Sequence, residues 1–386
     1  MQMFSLNFVI YTISGIWRPV EWSSNGAKLL YGIFTLIIIS SEYFMTLTQF
    51  MDIVFIADNV DDFANNTLIC LSVFAICCKT TVIVVRRNGI IALLQILMKT
   101  PCKPRDEDEA EIQMKFDVFI RSCLIKYLIL ASTSLTCVTI GSILSVMQGH
   151  LPYRVWLPFD YDVPLVFLSI SVHQILTTIF ASAIDISTDT LVFGLFLQTC
   201  AQLEIFESRL HKLIINKTVR YLGGHALSPS SEDKMKISEC IHHHLSIYKY
   251  AKTVNVMFNE VLFVQFFRSI LVLCTSVYYL SLHIKEISTT ASFLVYTIVM
   301  FLQIYIYCWS GNEVILKSMS VGDAIYRMDW PLLSVTERKE LLIVMIRSTI
   351  PIKFTSSFLI TVSLQSYSNL LKTSYSAFNV LQNNQT

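Results

Sequence analysis

Six polar side chains near the end of this chain, Thr361, Gln365, Ser368, Lys372, Ser376 and Asn379, recur at steps of four, three, four, four and three residues. On a helix they form one stripe. Hydroxyls and amides in such a row can solvate an ion or a file of water, which is the chemistry of a conduit and not of bond breaking. Phe358, Leu359, Val362, Leu370, Leu371 and Phe378 supply apolar surface beside them. The segment from Lys353 to Gln382 therefore reads as a helix long enough to cross a bilayer but too polar to face lipid. Two readings stay open: a pore lining, or a helix buried among others whose hydroxyls return to backbone carbonyls. Ser356, Ser357, Ser363 and Ser374 lie off the stripe and blur the choice.

Other reactive residue types lack the spacing that chemistry needs. His242, His243 and His244 diverge around a helix, and no Cys or carboxylate is spaced to complete a metal site. Cys77 and Cys78 are adjacent and read as buried thiols; the ten cysteines lie in apolar spans or basic links, so no structural disulfide is expected. A helix starting at Leu165 and rising about 1.5 Å per residue spends a bilayer of about 30 Å by Ile184. Asp185 and Asp189 are thus predicted to form a solvated or paired face at the inner edge. Lys79 and Arg268 are predicted to snorkel inward along their apolar stems. No glycine-rich phosphate loop, nucleophile motif or cofactor fingerprint occurs. No catalytic residue, metal, cofactor or nucleic-acid partner is assigned, and an enzyme is not expected.

The elements that must position these residues are membrane helices. Of 386 residues, 54% are hydrophobic and 15% charged, and the net charge is +1; mean hydropathy is +0.57. An ordinary soluble domain has about 25% charged residues. Apolar runs of bilayer length fall near 29–56, 66–85, 124–147, 165–184, 261–281 and 289–309, and the C-terminal segment makes a seventh, the weakest by hydropathy. No cleavable leader is expected, because 1–25 interleaves aromatic and polar residues. Lys and Arg concentrate in alternate links, with seven in 86–123, eight in 199–254 and five in 313–352, against none in 57–65, one (Arg154) in 148–164 and one (Lys285) in 282–288. Basic links belong inside, which predicts a cytosolic N-terminus and an extracellular C-terminus, opposite to a G-protein-coupled receptor. The sequon at Asn65 falls outside on this scheme and the one at Asn216 inside.

The predicted fold class is an all-α membrane protein of seven transmembrane helices, some extending into a cytosolic anchor domain. Its parts are a cytosolic segment (1–26), helices one to four forming a ligand-binding bundle (27–198), a cytosolic helical extension (199–254), helices five and six (255–312), an anchor helix region (313–352), and a pore-lining helix seven with the extracellular C-terminus (353–386). Apolar periodicity runs on from the fourth span through Leu203, Phe206 and Leu210; Tyr221 to Pro229 breaks it, and Ser231 starts the helix leading into the fifth span. Leu332 to Ile346 gives a further packed segment, and Asp106-Glu107-Asp108-Glu109 reads as a solvated helix start. In the outer halves of the spans Met147, Phe167, Tyr278, Tyr279, Phe293, Tyr296 and Met300 gather, with His173 and Gln174 as polar groups nearby. They suit a small, largely apolar ligand bound weakly between helices, or ordinary helix packing.

Leu371-Lys372-Thr373-Ser374-Tyr375-Ser376-Ala377-Phe378, with Met345-Ile346-Arg347, Pro351, Asp323-Ala324-Ile325-Tyr326 and Trp330 before it, closely resembles the C-terminal signature of insect odorant receptors. The stretch from Leu151 to Asp160 is similar to that family's loop before span four. The resemblance implies an odorant-gated, non-selective cation channel. A ligand-tuning subunit binds a small volatile organic molecule between spans two, three, four and six and assembles with a shared co-receptor into a heterotetramer. It also implies a multi-pass protein of the plasma membrane, in the sensory neuron dendrite. Carried onto this chain, Ser376 and Asn379 line the pore and Val380, Leu381 and Gln382 form the constriction. Lys372 sits awkwardly in a cation path, and turning it toward a neighbouring helix or the interface relieves that. A gustatory-receptor-like channel and a metabotropic seven-helix receptor are the alternatives; a transporter lacks the internal repeats it needs.

Overall fold

The computed structural model describes residues 4–19, 21–56, 60–159, 161, 163–222, 231–282, 287–357 and 360–383. Among these are ten α-helices: α1 Ser5–Ile13, α2 Asn25–Phe55, α3 Val60–Val85, α4 Arg87–Met98, α5 Glu107–Met147, α6 Pro164–Leu222, α7 Ser231–Leu282, α8 Ile287–Tyr326, α9 Val335–Ser348 and α10 Leu364–Asn383. One short hairpin, β1 Thr355–Ser356 and β2 Ile360–Thr361, pairs antiparallel with Thr355 opposite Thr361. Helices dominate because a chain in hydrocarbon must satisfy its backbone N–H and C=O groups internally. Among the described residues α2, α3, α5, α6, α7 and α8 are long and apolar enough to span a membrane. The protein is a multi-pass, all-α membrane protein, and α10 is the more polar helix added to those six.

The spanning helices run on past the bilayer thickness, as their periodicity predicts. Helix α6 has 59 residues, about 90 Å at helical rise. Its far half buries Leu203, Phe206 and Leu210 with Ile237 and Ile247 of α7, Val321 and Ile325 of α8, and Leu341 and Val344 of α9. Local chemistry fixes the helix starts here. Asp106 caps α5 by accepting the Glu109 N–H, with Glu107, Asp108 and Glu109 in the first turn. Ser334 and Glu337 form a reciprocal capping box at α9. Burial pushes the Glu337 carboxyl up, but the Lys217 ammonium and the Ser334 cap outweigh it and hold it below the usual range. Most of the predicted break at Tyr221 to Pro229 lies outside the described residues; α6 ends at Leu222 and α7 begins at Ser231.

Two elements differ from the sequence expectation. The N-terminal segment carries α1, which docks on α6: Asn7 Nδ2 donates to the Ser187 carbonyl (2.9 Å) and Thr190 Oγ1 (2.7 Å), and the Tyr11 hydroxyl donates to Thr188 Oγ1 (3.0 Å). The last helix starts at Leu364 and not near Lys353. The polar side chains of α7 offer the backbone an alternative partner: Asn255 Oδ1 accepts the Thr355 N–H (2.8 Å) and Asn259 Oδ1 the Ser357 N–H (2.6 Å). Thr361, first member of the predicted stripe, therefore lies on β2.

Arg209 joins α5 to α6. It is 6% exposed and forks onto Glu109 at 2.9 and 2.8 Å, with its remaining donors on the carbonyls of Pro101 and Lys103. Arg209→Met leaves the Glu109 carboxylate buried without its counter-charge, holding only the Arg105 N–H (2.9 Å). Thermal unfolding of the detergent-purified protein should report a loss of about 3–5 kcal/mol, and a loss under 1 kcal/mol would show the pair to be solvated.

Candidate functional site

The most concentrated chemistry lies inside the bundle. Asp185 and Asp189 share one face of α6, four residues apart. Lys79 of α3, fully buried, donates to Asp185 Oδ1 at 2.5 Å and Asp189 Oδ1 at 2.6 Å. Arg268 of α7, 3% exposed, donates to Asp185 Oδ2 (3.4 Å), Gln303 Oε1 (2.6 Å) and Gln265 Oε1 (3.1 Å). The Gln303 amide of α8 donates to both aspartates, and the Tyr307 hydroxyl reaches Asp189 Oδ1 at 2.7 Å. Tyr127 of α5 reaches Asp189 Oδ2 at 3.5 Å. One network thus ties α3, α5, α6, α7 and α8. A narrow crevice between α5, α6 and α8 opens on it, with room for no more than about one water, lined in part by Tyr127, Asp189, Gln303 and Tyr307.

This corrects the expected snorkelling of Lys79 and Arg268. Both point into the bundle, because paired carboxylates there offset a desolvation that neither cation could meet alone. The aspartates are paired, as one alternative held, but they are not a solvated face. Hydropathy located each charge along its own helix and could not show that four charges on three helices share one level.

The ligand-pocket residues are partly brought together. Tyr296 on α8 meets Ser72 of α3, hydroxyl to hydroxyl, at 3.0 Å, and Met300 one turn on is 4% exposed. His173 on α6 faces α2, with Nε2 2.9 Å from Ser41 Oγ and its ring edge-on to Phe44 at 5.5 Å. Gln174 is committed to the backbone of the link between α5 and α6: its Oε1 accepts the Tyr153 N–H (3.0 Å) and its Nε2 donates to the Tyr153 carbonyl (3.1 Å). Phe167 is half-buried on α6. Met147, at the end of α5, is 79% exposed and joins no enclosed group in the single chain. The side chains of Phe293, Tyr278 and Tyr279 lie outside the described residues. Sequence reading missed Ser72 and Ser41, although each hydroxyl lies in an apolar stretch where a polar group needs a partner.

Helix α10 packs on α7 and α8 through Leu370 and Ser374, both buried, and through Tyr367, which stacks edge-on against Tyr305 at 5.6 Å. The opposite face, Gln365, Asn369, Lys372, Thr373, Tyr375 and Ser376, is exposed in the single chain. Ser368 and Asn379 are half-buried at its margin. The predicted stripe is thus rotated by about 30° from the centre of the exposed face, at about 100° per residue. Lys372 stays on that face and does not turn to a neighbour within the chain. The side chains of Val380, Leu381 and Gln382 lie outside the described residues. The approach to α10 is close: a Cβ on Gly311 of α8 would stand 2.4 Å from the Val362 carbonyl oxygen, so only glycine fits there.

Metal chemistry has no geometry here: among the described residues no group of three His, Cys, Asp or Glu could hold an ion. Of the three histidines, His243 pairs with Gln202 Oε1 at 2.9 Å and His244 packs against Phe206 and Tyr248.

Comparison with known proteins adds relatives to this geometry. The protein-family model described as 7tm Odorant receptor matches residues 59–375. Odorant receptor Or1 of Anopheles gambiae is 22% identical over 98% of this chain and 94% of its own length. Or2 of the same mosquito is 25% identical over 60% of this chain, which spans 61% of that relative's length. Odorant receptor 46a, isoform A, of Drosophila melanogaster is 28% identical over 61% of this chain and 60% of its own. The solved structure of olfactory receptor OR5 from Machilis hrabei with eugenol superposes with a TM-score of 0.84 at 15% identity, covering 99% of this chain and 98% of that one.

Lys79→Met removes the cation that two buried carboxylates share, leaving Arg268 as the remaining charge beside Asp185. Its unfolding midpoint should fall by the equivalent of about 3–5 kcal/mol, and adding Asp189→Asn should restore part of the loss. An additive double variant would contradict the pairing.

Proposed function

This chain belongs to the insect odorant receptor family, and from that premise we propose that it is the odorant-tuning subunit of a ligand-gated, non-selective cation channel. The observation that carries the reading is α10. Its face of Gln365, Asn369, Lys372, Thr373 and Ser376 is polar and uncovered, and such a face is costly against lipid. Water in a central conduit, formed with neighbouring subunits, meets its need. The sidedness from the basic links supports a cytosolic N-terminus and extracellular C-terminus, with Val380, Leu381 and Gln382 as the constriction and Ser376 and Asn379 below it. The natural site is the plasma membrane of the sensory dendrite, and the natural partner is the family's shared co-receptor in a heterotetramer.

Helix α8 supplies a route from ligand to pore. Tyr296 and Met300 offer it to a small volatile molecule, and the related receptor solved with eugenol supports a ligand of that class. Two turns on, Gln303 and Tyr307 anchor the same helix to the aspartates, while Tyr305 and Gly311 touch α10 and the link that leads into it. A ligand that shifts α8 against α3 and α6 then moves the support of α10 and favours an open arrangement. Recognition is weak: about ten heavy atoms at about −0.5 kcal/mol each give micromolar to millimolar binding.

In excised patches from cells expressing this chain with and without the co-receptor, a panel of volatiles without nucleotide should evoke prompt inward current only with both chains. Silent patches with responses surviving in whole cells would point to a diffusible messenger and overturn direct gating.

A further inference from the structure

Glu42, on α2, is 1% exposed, and neither carboxylate oxygen has a hydrogen-bond partner among the described residues. Its own turn does not serve it, because the Thr46 hydroxyl returns to the Glu42 carbonyl (2.9 Å) and meets Cys77 Sγ (3.4 Å). The side chain turned toward it from α3 is Thr80, fully buried, whose hydroxyl approaches the carboxylate without reaching hydrogen-bond geometry and has no other partner among the described residues. Two turns along the same seam the Gln49 amide is fully buried with both ends unpartnered, leading to the Asp52–Asn66 pair at 2.7 Å. A seam between two membrane helices that leaves an acid, a hydroxyl and an amide unmatched calls for an occupant, since each bare polar group there is costly.

Charge says what kind. Asp185 lies within electrostatic reach of Glu42, so the cluster holds Glu42, Asp185 and Asp189 against Lys79 and Arg268: three negative groups and two positive. Lys79 and Arg268 are already committed to the aspartates. The groups facing α2 near Glu42 are Cys77 and Thr80 from α3 and Asp185 and His173 from α6. His173 is engaged by Ser41, not by Glu42. We propose that the α2–α3 seam at Glu42 and Thr80 is a binding site for one small positive charge, a proton or an alkali cation, which completes the charge balance of the buried network. The site stands apart from Tyr296 and Met300, and its occupant is too small to be an odorant.

The test is thermal unfolding of the purified full-length protein in detergent, with Glu42→Gln as the isosteric neutral variant. An alkali cation predicts that sodium, compared with N-methylglucamine at mildly alkaline pH, raises the wild-type midpoint by several degrees. A proton predicts that the same rise appears without sodium as pH falls. In either arm Glu42→Gln should lose the response, and Thr80→Val should need severalfold more of the same ion. The remaining titratable groups are common to all three proteins and cancel in the comparison. Equal responses in wild type and Glu42→Gln, or no wild-type response in either arm, would overturn the proposal; if Glu42→Gln does not fold, an unshifted Thr80→Val curve does the same.

Discussion

A polar group placed in hydrocarbon must be met by another, and this chain is organised around that requirement. Four charges on three helices meet as Lys79, Asp185, Asp189 and Arg268, with Gln303, Tyr127 and Tyr307 adding further hydrogen bonds to them. A pair of this kind adds little net stability over an apolar core of equal shape, but removing one member is expensive. Its effect is to fix which faces of α3, α5, α6, α7 and α8 meet, and at what level. Apolar ridges alone leave that choice loose in a membrane, where lipid competes equally for them.

The same requirement explains the ends of the fold. Backbone amides at Thr355 and Ser357 turn to Asn255 and Asn259 and make a hairpin where the sequence pattern suggested helix. That hairpin carries Phe354, stacked on Phe196 at 3.8 Å, and brings Val362 against Gly311. Helix α10 thereby enters the bundle already leaning on α8. Its contacts use Tyr367, Leu370 and Ser374, and its remaining polar face is left for water or for other subunits.

Much of this was legible in the sequence. Apolar runs of bilayer length located the spans, and periodicity past Ile184 found the long extension of α6. The helix start read at Asp106 is real, whereas the cap at Ser334 was not read. What escaped was lateral. Nothing in the spacing of Lys79 or Arg268 tells which helix faces it, so each was read alone, as a side chain seeking water. The stripe on α10 was found but turned by part of a residue, because Asn369 and Thr373, which lie on the exposed face, were left out of it. Helix α1 was missed since its anchors, Asn7 and Tyr11, acquire meaning only against Ser187, Thr188 and Thr190 of α6.

The central claim is that the uncovered face of α10 is wet. Cysteine accessibility tests it directly, using Gln365→Cys, Lys372→Cys and Ser376→Cys on that face and Leu370→Cys and Ser374→Cys on the packed one, each coexpressed with the co-receptor. The unaltered chain serves as control for its native thiols, including the exposed Cys137. The account predicts that a charged, water-soluble thiol reagent alters odorant-evoked current in the first three and spares the other two. Current unaffected in the first three, or altered equally in all five, would contradict it.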